Sequence, residues 1–135
     1  MEPVFLTIAE ILQIHKEQVE FYGGSHGLRD RNMLESAIAT PAATFGGQYL
    51  HETIPVMAAA YLFHITQNHA SIDANKRTGA NAAMTFLHMN GWILGCSEDE
   101  LVATTLAVAS GVMGKPELTA FFERHAHAKP GLTDC

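Results

Sequence analysis

The stretch Ile54-Pro55-Val56-Met57-Ala58-Ala59-Ala60-Tyr61-Leu62-Phe63-His64-Ile65-Thr66-Gln67-Asn68 decides the fold. It is apolar almost all round at helical spacing, and a helix without a polar face belongs at the centre of a core. Thr53 offers an N-cap, and Pro55 sits in the first turn, where its missing N–H is no loss. A second run over 78–90, rich in Ala, Met and Leu, stops at Gly91, a suitable C-cap. The expectation is a pair of core helices bracketing one loop.

Outward from that pair the chain reads as helical again. Thr7 and Glu10 form a capping box ahead of Ile8, Ile11, Leu12, His15, Val19 and Tyr22, and Gly23 and Gly24 end that helix. Asp30 caps a short helix through Met33, Leu34, Ala37 and Ile38, which Pro41 forbids to continue. Residues 42–52 carry Gly46 and Gly47 beside Phe45 and Tyr49 and read as a flexible surface flap. Ser97 and Glu100 make another capping box, opening a helix to residue 110, and Pro116 suits the first turn before a last helix over 118–126. The strand signal is confined to Trp92, Ile93 and Leu94. The pattern predicts an all-α bundle of about six helices. One domain is expected over 1–128, followed by a flexible tail over 129–135 that contains Pro130 and Gly131.

Composition narrows the function classes. With 47% hydrophobic and 16% charged residues, the 135-residue chain can bury a core. A net charge of −6 opposes direct binding of nucleic acid, which would require many phosphates to be neutralised. Cys96 and Cys135 give no disulfide framework, so a cytoplasmic location is expected. Residues 1–6 carry neither a basic stretch nor a long apolar run, and the apolar stretch over 54–65 is broken by Pro55 and His64. Neither export nor membrane insertion is expected.

The chemistry concentrates between the two core helices, in His69-Ala70-Ser71-Ile72-Asp73-Ala74-Asn75-Lys76-Arg77-Thr78. This run feeds a helix N-terminus, where unpaired N–H groups and the positive end of the macrodipole favour an anion such as phosphate. Lys76 and Arg77 add a point charge and a bidentate fork. Asp73 is the kind of lone carboxylate that holds Mg²⁺ against a polyphosphate. His69, an imidazole titrating near pH ~6.5, can accept a hydroxyl proton. These are the parts of phosphoryl transfer. The same residues also read as a histidine partnering a helix C-terminus and an exposed Asp, Lys and Arg group worth about 0–1 kcal/mol. Spacing alone leaves both readings open. The other histidines, including His15, His26, His51, His64 and His88, show no i, i+4 zinc pair and are expected at the core edge or surface.

The run over 69–77 resembles the signature of the Fic/Doc family, and Asp73-Ala74-Asn75-Lys76-Arg77 is similar to its Doc (death-on-curing) toxin branch. Tyr22-Gly23-Gly24, Gly27-Leu28-Arg29-Asp30 and Phe86-Leu87-His88-Met89-Asn90-Gly91 extend the resemblance over roughly residues 4–126. It implies the compact helical Fic fold, ATP with Mg²⁺ as cofactors, and transfer to a hydroxyl of a protein target. Where the Fic branch has glycine at the position of Lys76, the outcome is adenylylation. The lysine of Doc-like members implies a reversed nucleotide and transfer of the γ-phosphoryl group, for Doc to a threonine of elongation factor Tu, which arrests translation. By position, His69 is then the base, Asp73 the metal ligand, and Asn75, Lys76 and Arg77 the phosphate cradle. Ala80 replaces the second arginine of the longer Fic signature, which further disfavours adenylylation. The resemblance alone implies a cognate antitoxin.

Ser71 departs from the pattern, because the family has phenylalanine there, buried beneath the loop. Losing a buried Phe side chain costs about 3–5 kcal/mol before any refilling. A loop displaced by about 1 Å loses roughly a hundredfold in rate. Attenuated catalysis is therefore expected, with a catalytically weak binding module as the alternative.

Overall fold

The computed structural model describes residues 3–22, 31–67 and 75–129. Six α-helices appear among them: α1 (Ile8–Tyr22), α2 (Arg31–Ala39), α3 (Ile54–Gln67), α4 (Asn75–Met89), α5 (Glu98–Ala109) and α6 (Lys115–His125). The all-α expectation holds.

Three helix starts are made by the predicted chemistry, and the predicted Asp30 cap lies outside the described residues. At α1 the Glu10 carboxylate accepts from the Thr7 N–H at 2.8 Å, and Thr7 Oγ1 accepts from the Glu10 N–H at 3.2 Å. Ser97 and Glu100 exchange the same pair at α5. Thr53 Oγ1 accepts from the Val56 N–H at 3.3 Å at α3. Each satisfies donors that the helix itself leaves without partners. Gly91, at φ 79°, ends α4 as predicted.

Three boundaries differ from the sequence reading. Pro41 does not simply stop α2: Thr40–Ala42 forms a 3₁₀ turn around it, a place where its fixed φ fits and its absent N–H is not needed. α4 starts at Asn75, upstream of 78, because Lys76 and Arg77 are good helix formers. The last helix begins at Lys115 and ends at His125, and Ala126–Ala128 is a strand.

The small strands are the larger correction. β1 (Thr44–Phe45) and β2 (Gln48–Tyr49) form an antiparallel hairpin where a flap without regular structure was expected. Gly46 and Gly47 hold φ of 62° and 84°, as a tight hairpin turn requires. Its Tyr49 ring lies 5.7 Å from Phe5, which stacks at 5.7 Å on Phe86 of the core. β3 (Trp92–Leu94) pairs with β4 (Ala126–Ala128).

The core is built on α3. Met57, Ala58, Ala59, Ala60, Tyr61, Leu62 and Ile65 are buried, and α3 packs along α4 while also touching α2, α5 and α6. The Tyr61 hydroxyl accepts from the Leu6 N–H at 3.0 Å, and burial pushes its pKa up to about 12. Asn90 ties the start of the chain to the end of α4: it accepts from the Val4 N–H at 2.7 Å and donates to the Val4 carbonyl at 2.9 Å. The Lys129 N–H donates to the Gly91 carbonyl at 2.9 Å. Residues 130–135 of the expected tail lie outside the described residues.

Candidate functional site

α3 and α4 flank the candidate run along the chain. His69, Ser71 and Asp73 lie outside the described residues. Asn75, Lys76 and Arg77 form the first turn of α4 rather than the end of a loop, so their backbone N–H groups belong to the positive end of that helix. Arg77 is half-buried, and its carbonyl accepts from Asn81 Nδ2 at 3.1 Å.

What fixes this helix end against α3 is a glycine that sequence reasoning passed over. A Cβ on Gly79 would stand 2.5 Å from Thr66 Oγ1 and 3.2 Å from the Leu62 carbonyl. Both lie on α3, so only a residue without a side chain lets the two backbones approach this closely. The available signal was a glycine inside an otherwise Ala-rich helical run. Thr78, beside it, is 1% exposed.

Arg77 also lines an open groove of about 720 Å³. Asn81 and Met84 of α4, Leu94 of β3, and Leu101, Val102 and Leu106 of α5 form its walls. The arrangement sets a cationic, N–H-rich helix start at the edge of a largely apolar trough. Such a site suits a phosphorylated ligand with an apolar part. The half-buried Cys96 lines it too, and burial raises its thiol pKa above the ordinary value, so it is a poor nucleophile.

Sequence spacing also missed a meeting of basic groups. Lys115 Nζ lies 2.9 Å from His51 Nε2 and 2.9 Å from His64 Nε2. Burial, then the Lys115 charge, lowers the His51 pKa. Burial, then Lys115 and His51, lower that of His64 to about 4. Burial also lowers the pKa of Lys115. These residues are 51 and 64 positions apart, beyond any helical periodicity. Among the described residues no group of three or more His, Cys, Asp or Glu side chains is placed to hold a metal ion. No described helix is long and apolar enough to cross a membrane.

Comparison with known proteins follows this geometry. The model of the Fic/DOC family matches residues 5–87, which include both core helices up to Leu87 and the run of sequence between them. Toxin Doc of Mycolicibacterium smegmatis is 42% identical over 78 residues, 58% of this chain and 60% of that protein. The match thus spans less than two thirds of that relative. Protein kinase doc of Escherichia phage P1 is 31% identical over 102 residues, 76% of this chain and 79% of the phage protein.

Proposed function

The chain belongs to the Fic/DOC family, and from that premise we propose that it is a toxin-type protein kinase. It moves the γ-phosphoryl group of ATP to a threonine or serine hydroxyl of a translation factor of the elongation factor Tu kind. A cognate antitoxin is its partner, and translation arrest its outcome. The observation that carries the reading is the placement of Asn75, Lys76 and Arg77 in the first turn of α4, beside the groove that Arg77 lines. A relative named a protein kinase supports it.

In this reading the start of α4 holds the phosphates through its N–H groups, with Lys76 and Arg77 as added cations. His69 takes the proton of the target hydroxyl as that oxygen attacks the γ-phosphorus, the bond from that phosphorus to the β–γ bridging oxygen breaks, and ADP leaves. Asp73 would hold Mg²⁺, which when bound neutralises phosphate charge. The donor set fits a polyphosphate because carboxylate, cations and helix N–H groups lie within one short run of chain.

Incubation with γ-labelled ATP, Mg²⁺ and purified elongation factor Tu tests the proposal. Label should pass to the factor, and both His69→Ala and Asp73→Ala should abolish the transfer. Label arriving from α-labelled ATP instead would mean adenylylation. Ser71 favours a second reading, a catalytically weak binding module. Calorimetric ATP binding without transfer, persisting in Ser71→Phe, would select it. A gain in transfer and in growth arrest by Ser71→Phe would identify Ser71 as an attenuating residue of an enzyme.

A further inference from the structure

The outer side of α5 is apolar and open to solvent. Val102 and Leu106 are half-exposed, Val112 just beyond the helix is 80% exposed, and Met84 of α4 beside them is 45% exposed. Leu106 lines both the groove beside Arg77 and a second hollow, of about 510 Å³, formed with Ala103, Ala107, Ala109 and Val112. It is therefore a ridge between two troughs, and the alanines leave room for another helix to approach. Glu98, Val102 and Leu106 follow one another at steps of four residues, so they form one stripe about 12 Å long. The two ends of this stripe differ in charge. The Gln67 side chain donates to the Val108 carbonyl, and Thr66, its neighbour on α3, lies against Gly79 of α4. The C-terminal end of α5 thus lies beside the first turns of α4, where Arg77 sits. Glu98 lines the opposite end of the same groove, with Asp99 and Glu100 in the same helical turn.

We propose that a second copy of this chain docks on this face, α5 against α5 in antiparallel orientation, and forms a symmetric dimer. A two-fold axis lying across the stripe at Val102 turns it end for end. The acidic first turn of α5 in each copy then meets the Arg77 end of the groove in the other, and the Leu106 ridge of each enters the other's trough. The face is its own complement in charge and in shape. A foreign partner would have to supply both properties, whereas a second copy already carries them. Four exposed apolar side chains are fewer than an obligate interface buries, so the pairing is reversible, with a dissociation constant of about 10–100 μM. It covers the groove beside Arg77, and it stands whether or not the kinase reading does.

Sedimentation velocity of the untagged full chain, from about 5 to about 200 μM, tests the pairing. The sedimentation coefficient should rise with concentration from that of a monomer toward that of a dimer. Val102→Glu, which brings two carboxylates together at the axis, should weaken association by about tenfold or more. Glu98→Arg should weaken it by about threefold, and the double substitution Arg77→Glu, Glu98→Arg, which exchanges the charges of both ends, should return it toward the parent value. At about 1 μM, where the chain is monomeric, Val102→Glu should unfold at the parent's urea concentration, so that loss of pairing is not loss of fold. Circular dichroism of each variant verifies folding. A parent chain still monomeric at about 200 μM overturns the proposal and leaves the face to a different protein. So does association unchanged in Val102→Glu, or a double variant that associates no better than Glu98→Arg alone.

Discussion

α3 and α5 are both apolar helices, yet they live in different surroundings. Ala58, Ala59, Ala60, Tyr61 and Leu62 of α3 are 0% exposed, whereas Val102 and Leu106 of α5 are each 50% exposed. α5 buries only the side that carries Leu101, Thr104, Thr105 and Val108. The difference arises from neighbours. α3 is packed by α2, α4, α5 and α6, and its run of three alanines lets them come close. α5 lies at the edge, with part of its apolar surface lining the groove beside Arg77. An apolar helix is thus legible from composition, but its burial depends on which other elements reach it.

Substitutions can break this contrast. The largest effect is expected from Leu62→Ala, which opens a cavity at a fully buried site and should cost about 2–5 kcal/mol in urea unfolding. Gly79→Ala should follow at about 1–3 kcal/mol, because its methyl group forces α4 away from Thr66 and Leu62. That displacement also moves the start of α4, so the proposed phosphoryl transfer should fall more than unfolding stability alone implies.

Acid probes the outer connections of α3. His64 holds a pKa of about 4 in the folded chain, below its ordinary 6.5, so the unfolded chain takes up the proton first. The associated stability is complete above pH ~6.5 and is lost as the pH falls toward the folded value. The imidazole is half-exposed and solvent screens it, so the loss should be modest. Urea midpoints measured down through this window should fall less steeply in His64→Gln. The smallest effect belongs to α5: Leu106→Ser should alter stability by no more than about 0.5 kcal/mol. A loss as large as that of Leu62→Ala would make the two helices equivalent.

Much of this architecture was written in local signals. The two capping boxes, Thr53 and Gly91 each act over a few residues, so the sequence contains the whole interaction. The hairpin was harder to see, since each of its strands is two residues long and Tyr49 gains its anchor from Phe5, far away in the chain. β4 escaped notice because Ala126-His127-Ala128 has little strand propensity and is strand only through its pairing with Trp92, Ile93 and Leu94. Of the candidate site, the dense run of chemistry stood out as sequence, whereas the groove beside Arg77 comes from α5 and β3 and is not written in that run. Gly79 and the group formed by His51, His64 and Lys115 depend on contacts between elements, which periodicity does not encode.

The hydrogen bonds from Val4 to Asn90 and from Lys129 to Gly91 have a topological consequence. They bring the two outermost described segments to consecutive residues at the end of α4. A short flexible peptide joining the segment at Val4 to that at Lys129 can therefore link the two, with new ends opened in the exposed turn at Gly46 and Gly47. Such a permutant leaves α3, α4 and the run between them continuous, while α1 and α2 are synthesised after α6 instead of before α3.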